Sequence, residues 1–190
     1  MSLKSELHHY LNQGRTAVLW KLEGLSEYDA RRPLTPTGTN LLGLVKHLAI
    51  VESGYFGGVF GRPYPKEALD PAEDEENSDM WATEAESMES VIDFYRHVQA
   101  HSDATIEALD LDAPGSVPWW PEERRAVTLH KILIHMATET HRHAGHADIV
   151  RELIDGAVGH RPGTSNLPDE DRDWWRNYVA NLERIALRFK

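Results

Sequence analysis

Residues 128–155, TLHKILIHMATETHRHAGHADIVRELID, place apolar side chains at three- and four-residue intervals and read as one long helix. Thr128 is its candidate N-cap, because a hydroxyl there accepts from an unpaired N–H of the first turn. At roughly 100° per residue, Ile132, Met136, Val150 and Ile154 share one stripe, with Leu129 and Ala147 at its edge. Glu139 and His143 sit in the middle of that stripe, and His135 and His146 flank them. An unpaired buried carboxylate is strongly unfavourable, so the site requires a partner or a cation.

The rest of the chain is also helical in pattern. Residues 2–24 carry Leu3, Leu7, Leu11, Val18 and Leu22 at helical spacing, with His8 and His9 expected to be solvated. The segment 26–38, with two prolines, is a connector. Thr39 or Asn40 caps a second helix through Phe60, apolar on most sides. Its His47 shares a face with Gly43, Leu44, Ile50, Val51 and Gly54; the two glycines would let another helix or a ligand approach. Residues 61–82 form a proline-bearing acidic loop. Six acidic residues lie between Asp70 and Asp79, without the calcium-loop pattern, so a solvated loop is expected.

A third helix, about Ser87–Leu109, carries His97 and His101 at metal-pair spacing but turned away from its apolar stripe, which marks them as a decoy. Residues 110–127 form a loop in which Trp119 and Trp120 either pack on the bundle or line a pocket mouth. After residue 155 an irregular connection leads to a last helix, about 170–189, expected to bury Trp175, Tyr178, Leu182, Ile185 and Phe189. Five helices and no convincing strand predict an all-α fold in a single domain, residues 1–190: a four-helix bundle with an additional C-terminal helix.

Composition narrows the function. A net charge of −11 argues against nucleic acid and against anionic membrane surfaces as partners. No apolar run reaches the roughly 18 residues of a spanning helix, and the N-terminus lacks a signal-peptide core, so a cytoplasmic location is expected. With no cysteine, a metal must be held by nitrogen and oxygen, and no cysteine nucleophile exists.

Glu139 and His143, spaced i and i+4, can chelate one ion, or else form a metal-free hydrogen-bonded pair. His47 is the other histidine on an inward face of a different helix and so the candidate third ligand. Two histidines and a carboxylate suit zinc, and also iron(II) or nickel, and leave coordination positions open. His146, one turn on, is a fourth ligand, an outer partner or a proton carrier; His135, one turn earlier, is a further outer partner. Arg142 lies beside the same face and could bind an anionic group, whereas His130 and His141 point to solvent.

IHMATETHRHAGHADIVREL from Ile134, with NLLGLVKHLAIVE around His47, resembles the DinB/YfiT-like superfamily, in particular a branch marked by an RHAGHAD segment. The resemblance implies a DinB-like four-helix bundle, often a homodimer, with a divalent metal held by one residue of the second helix and two of the fourth. His47 and His143 match two of those positions; the third, usually histidine, is Glu139 here. It further implies a transferase joining a low-molecular-weight thiol, of the mycothiol or bacillithiol type, to an electrophilic small molecule. A metal-dependent hydrolase and a non-catalytic metal- or ligand-binding bundle are the alternatives.

Overall fold

The computed structural model describes residues 2–65 and 76–190. Four long helices begin at side-chain caps: the Ser2, Asn40, Ser87 and Thr128 side chains each accept from the backbone N–H three residues on. In chain order the helices are α1 (Leu3–Trp20), a short α2 (Glu27–Arg31) within the expected connector, α3 (Leu41–Phe56), α4 (Met88–Ala108), α5 (Leu129–Asp155) and α6 (Arg172–Ala186). Among the described residues the fold is all-α apart from one small ribbon. α3 stops four residues earlier than its pattern suggested, and a 3-10 turn, Gly58–Phe60, follows it.

Cross-helix contacts set the topology. Lys21 reaches Asp148 while Gly14 faces Thr140, so α1 and α5 run parallel. Lys46 meets Glu86 and Arg62 meets Thr105, so α3 and α4 also run parallel. Lys4 bonds the carbonyls of Glu107 and Leu109 and His8 bonds Asp103, which makes α1 and α4 antiparallel. The order is therefore up-down-down-up, and a long crossover, residues 57–87, links the two parallel neighbours α3 and α4. Most of the acidic stretch expected to be a solvated loop falls in 66–75, outside the described residues.

Two apolar clusters fill the bundle. One is centred on Leu42, Leu48, Tyr95 and Val98; the other on Leu11, Phe56, Leu129 and Met136. The α5 stripe is buried at Leu129, Ile132, Met136, Ala147 and Val150, and Ile154 is half-buried. Between α1 and α3 lies a buried ion pair that periodicity alone did not separate from the core: Arg15 grips both Glu52 oxygens, at 3.1 and 2.5 Å.

Three expectations need correction. Residues 110–127 are not simply a loop: Pro114–Ser116 (β1) and Ala126–Thr128 (β2) pair antiparallel and pin the Trp119–Trp120 segment at its base. His8 is half-buried, bonded to Asp103 at 2.7 Å, because α1 and α4 bring the two side chains together. The last helix buries none of its apolar residues. Its amphipathic pattern specifies an apolar face but not a surface to cover it. Among the described residues, no helix is long and apolar enough to cross a membrane.

Candidate metal centre

The centre is built where α3 passes antiparallel to α5. On α5, the i and i+4 spacing brings Glu139 and His143 together, with His143 Nε2 at 3.0 Å from Glu139 Oε1. His47 of α3 packs edge-on to His143, ring centroids 4.8 Å apart. One ligand atom from each of His47, Glu139 and His143 lies within 4.8 Å of the other two. His97 and His101 are not part of this arrangement. His97 is exposed and bonds the Asp93 carbonyl, and His101 packs against Tyr64.

The crossover then orients His47. Its Nδ1 lies 2.6 Å from Asp79 Oδ2. An ionised carboxylate only accepts, so Nδ1 carries a proton, and in the singly protonated ring the lone pair is at Nε2. Nε2 is buried and, among the described residues, has no hydrogen-bond partner; Glu139 Oε1 is 3.5 Å away. A lone pair facing a carboxylate across that gap is what a cation between them would relieve. The residues present fit a divalent ion: two imidazoles and one carboxylate, in a chain without thiolates.

Asp79 is in place because of Gly43. The 3-10 turn Ser78–Met80 lies so close to the first turn of α3 that a Cβ on Gly43 would stand 1.8 Å from the Met80 carbonyl oxygen. Asn40, which caps α3, also donates to that carbonyl at 3.2 Å, and Lys46 bonds the Trp81 carbonyl at 3.1 Å. Gly43 thus admits a backbone turn, neither a helix nor a ligand.

The electrostatics suit metal ligands. Burial pushes the Glu139 carboxyl up, but the facing His143 and His47 rings outweigh it and hold it below its ordinary value. Burial, and then the neighbouring His47, beside which a positive charge is unfavourable, hold His143 below the usual histidine value and favour the neutral ring that a metal needs. His143 Nδ1 lies 3.3 Å from Nδ1 of His146. His146 therefore contacts the far nitrogen of His143 rather than joining the three-atom cluster. Arg142 is exposed, as are His130 and His141.

Beside the centre stands an aromatic wall. Tyr55 of α3 packs on His135, one turn before Glu139, at 4.6 Å between centroids. The Tyr55 hydroxyl accepts from the indole N–H of Trp120 at 2.9 Å and of Trp119 at 3.3 Å. Trp119 also lies against Gly54, where an added Cβ would come within 3.3 Å of the indole. Both tryptophans pack on the bundle, and Trp119 stays 56% exposed. Burial lowers the His135 pKa, so this ring is neutral among its aromatic neighbours.

The model of the mycothiol-S-transferase family matches residues 6–156, which hold the four bundle helices apart from the first three residues of α1, and every residue of the centre. The chain belongs to the mycothiol-S-transferase family. The match agrees with the DinB/YfiT-like resemblance carried by the RHAGHAD segment. A conserved protein from Enterococcus faecalis has a similar solved structure, at a TM-score of 0.65 and 15% identity over 83% of this chain and 99% of that one. At that identity the likeness shows the fold alone. No curated protein matches. The mycothiol-S-transferase match ends one residue past α5, so α6 lies beyond it.

Sequence reasoning singled out His47, Glu139 and His143, and the structure brings these three together. It missed Asp79 and Tyr55. Asp79 was one acid among several in the crossover, and nothing in the spacing distinguished it. Tyr55 carried a weak signal, a polar-tipped residue beside Gly54 on a helix otherwise read as core.

Proposed function

We propose that the protein is a divalent-metal-dependent transferase that joins a low-molecular-weight thiol, of the mycothiol or bacillithiol type, to an electrophilic small molecule. The observation that carries this reading is the Nε2 of His47, unpartnered among the described residues and aimed at Glu139 beside His143 in a chain of the mycothiol-S-transferase family. His47, Glu139 and His143 would hold the ion, zinc being the best match to two nitrogens and one oxygen, with nickel or iron(II) also accommodated. When bound, such an ion lowers the pKa of a coordinating thiol and so supplies thiolate at neutral pH. The chain has no cysteine, so the sulfur must arrive on the cosubstrate.

The chain's own groups do the rest. Asp79 fixes the ring of His47, and His146 contacts the far nitrogen of His143. The Tyr55–Trp119–Trp120 wall offers apolar, flat surface for the electrophile and keeps water from that side. A reduced-thiol cosubstrate fits a cytoplasmic location.

The test is a screen with zinc, nickel or iron(II), each with and without a low-molecular-weight thiol, following loss of free thiol in the presence of an electrophile. Metal- and thiol-dependent consumption is expected. Ester or amide cleavage without thiol would replace this reading with a metal-dependent hydrolase. The protein should bind about one divalent ion per chain, in keeping with a three-ligand site. His143→Ala should lose most of it; full occupancy in that variant would sink the assignment of the centre.

A further inference from the structure

α6 is a strongly amphipathic helix with its apolar face uncovered. Asp171 caps it, its side chain accepting from the Trp174 N–H at 2.8 Å. With the 3-10 turn Leu187–Phe189 that extends it, the helix aligns Trp174, Trp175, Tyr178, Leu182, Ile185 and Phe189 on an arc of about 100°. No residue of α6 is buried, none belongs to either apolar cluster of the bundle, and Phe189 is 86% exposed. The aromatic rings touch one another, with Trp174 and Tyr178 stacked at 5.2 Å. An isolated helix shorter than roughly 12–15 residues is marginal in water, and this one is barely longer, so its stability calls for a covering surface.

Charge and area indicate what covers it. Residues 172–190 carry five basic and two acidic side chains, whereas the whole chain is at −11, which leaves residues 1–171 at −14. An arm of net positive charge is drawn to the acidic body of this protein, and the same body is repelled by an anionic bilayer. A matching surface is present on the body. Ile149 and Leu153, one turn apart on α5, are each 61% exposed, with the exposed Glu152 beside them; Asp148 and Asp155 nearby are already paired, with Lys21 and Arg151. At roughly 150–250 Å² per buried aromatic side chain, two reciprocal arms reach the roughly 1,200–2,000 Å² of a stable interface.

We propose that α6 is a dimerisation arm whose apolar stripe seats on Ile149 and Leu153 of α5 in a second copy of this chain, the exchange being reciprocal about a two-fold axis. This inference is independent of the metal chemistry.

Light scattering on the full chain at micromolar concentration tests it, with Leu182→Glu on the arm and Ile149→Glu on the proposed seat. Both side chains are exposed, so neither change reaches the bundle core. The expected result is twice the 21.6 kDa chain mass for the unmodified protein and the single-chain mass for each variant. An unmodified protein at the single-chain mass overturns the proposal, and its co-flotation with phosphatidylserine vesicles would then name a bilayer instead. A dimer that survives Leu182→Glu also overturns it. Loss of the dimer in Leu182→Glu alone, with Ile149→Glu still dimeric, overturns the α5 seat in favour of arm-to-arm pairing.

Discussion

His47 and Asp79 are 32 residues apart in sequence, yet the imidazole Nδ1–H meets the carboxylate at 2.6 Å. The contact fixes the tautomer and leaves Nε2 as a lone pair directed at Glu139 and His143. Asp79→Asn keeps the size of the side chain but removes the charge that holds the ring in that state. Zinc affinity, measured by competition with a chromogenic chelator, is expected to fall about 10- to 100-fold, the usual effect of losing such an outer partner. Unchanged affinity in Asp79→Asn would remove Asp79 from the centre.

Gly43 acts one step further back. Its missing Cβ is what lets the Met80 carbonyl lie against α3, and the turn so placed carries Asp79. Gly43→Ala must push that backbone away, since a contact at 1.8 Å cannot be relieved by rotating a side chain. Overpacking of this kind costs about 1–3 kcal/mol, read as a lower urea midpoint. The variant should also lose zinc affinity in the same direction as Asp79→Asn. If stability fell while affinity held, the turn and the centre would be uncoupled.

What could be read from the sequence follows the range of each interaction. Glu139 and His143 were legible because both lie on one helix, where spacing alone dictates their approach. His47 was legible because the helical period of α3 turns it inward with Leu44 and Val51. Asp79 was not, because its position depends on Gly43 admitting a turn from a distant crossover. The His8–Asp103 bond was hidden for the same reason, His8 looking solvated when only its own helix is considered. For α6 the pattern was right and the inference from it was wrong: an apolar stripe says that a helix wants cover, and this bundle does not supply it.

The polar cluster between α1, α3 and α4 should govern behaviour in acid. Asp103 Oδ1 accepts from His8 Nε2 and from the Arg15 guanidinium, each at 2.7 Å. Burial pushes the Asp103 carboxyl up, but the His8 hydrogen bond and the Arg15 charge outweigh it and hold the group below the usual carboxylate value. A folded-state pKa below the unfolded one, near about 3.9, adds stability that is fully present above that pH and lost as pH falls through the folded value. The urea midpoint should therefore drop on acidification below about pH 4, and Asp103→Asn should flatten part of that drop. Removing Arg15 is far more damaging, because Glu52 is wholly buried and depends on it for charge compensation. Arg15→Met should cost about 3–5 kcal/mol, and Arg15→Met with Glu52→Leu should recover most of it by replacing an orphaned charge with apolar packing. A double variant no more stable than Arg15→Met alone would show that the loss came from packing around the Arg15 stem and not from the stranded carboxylate.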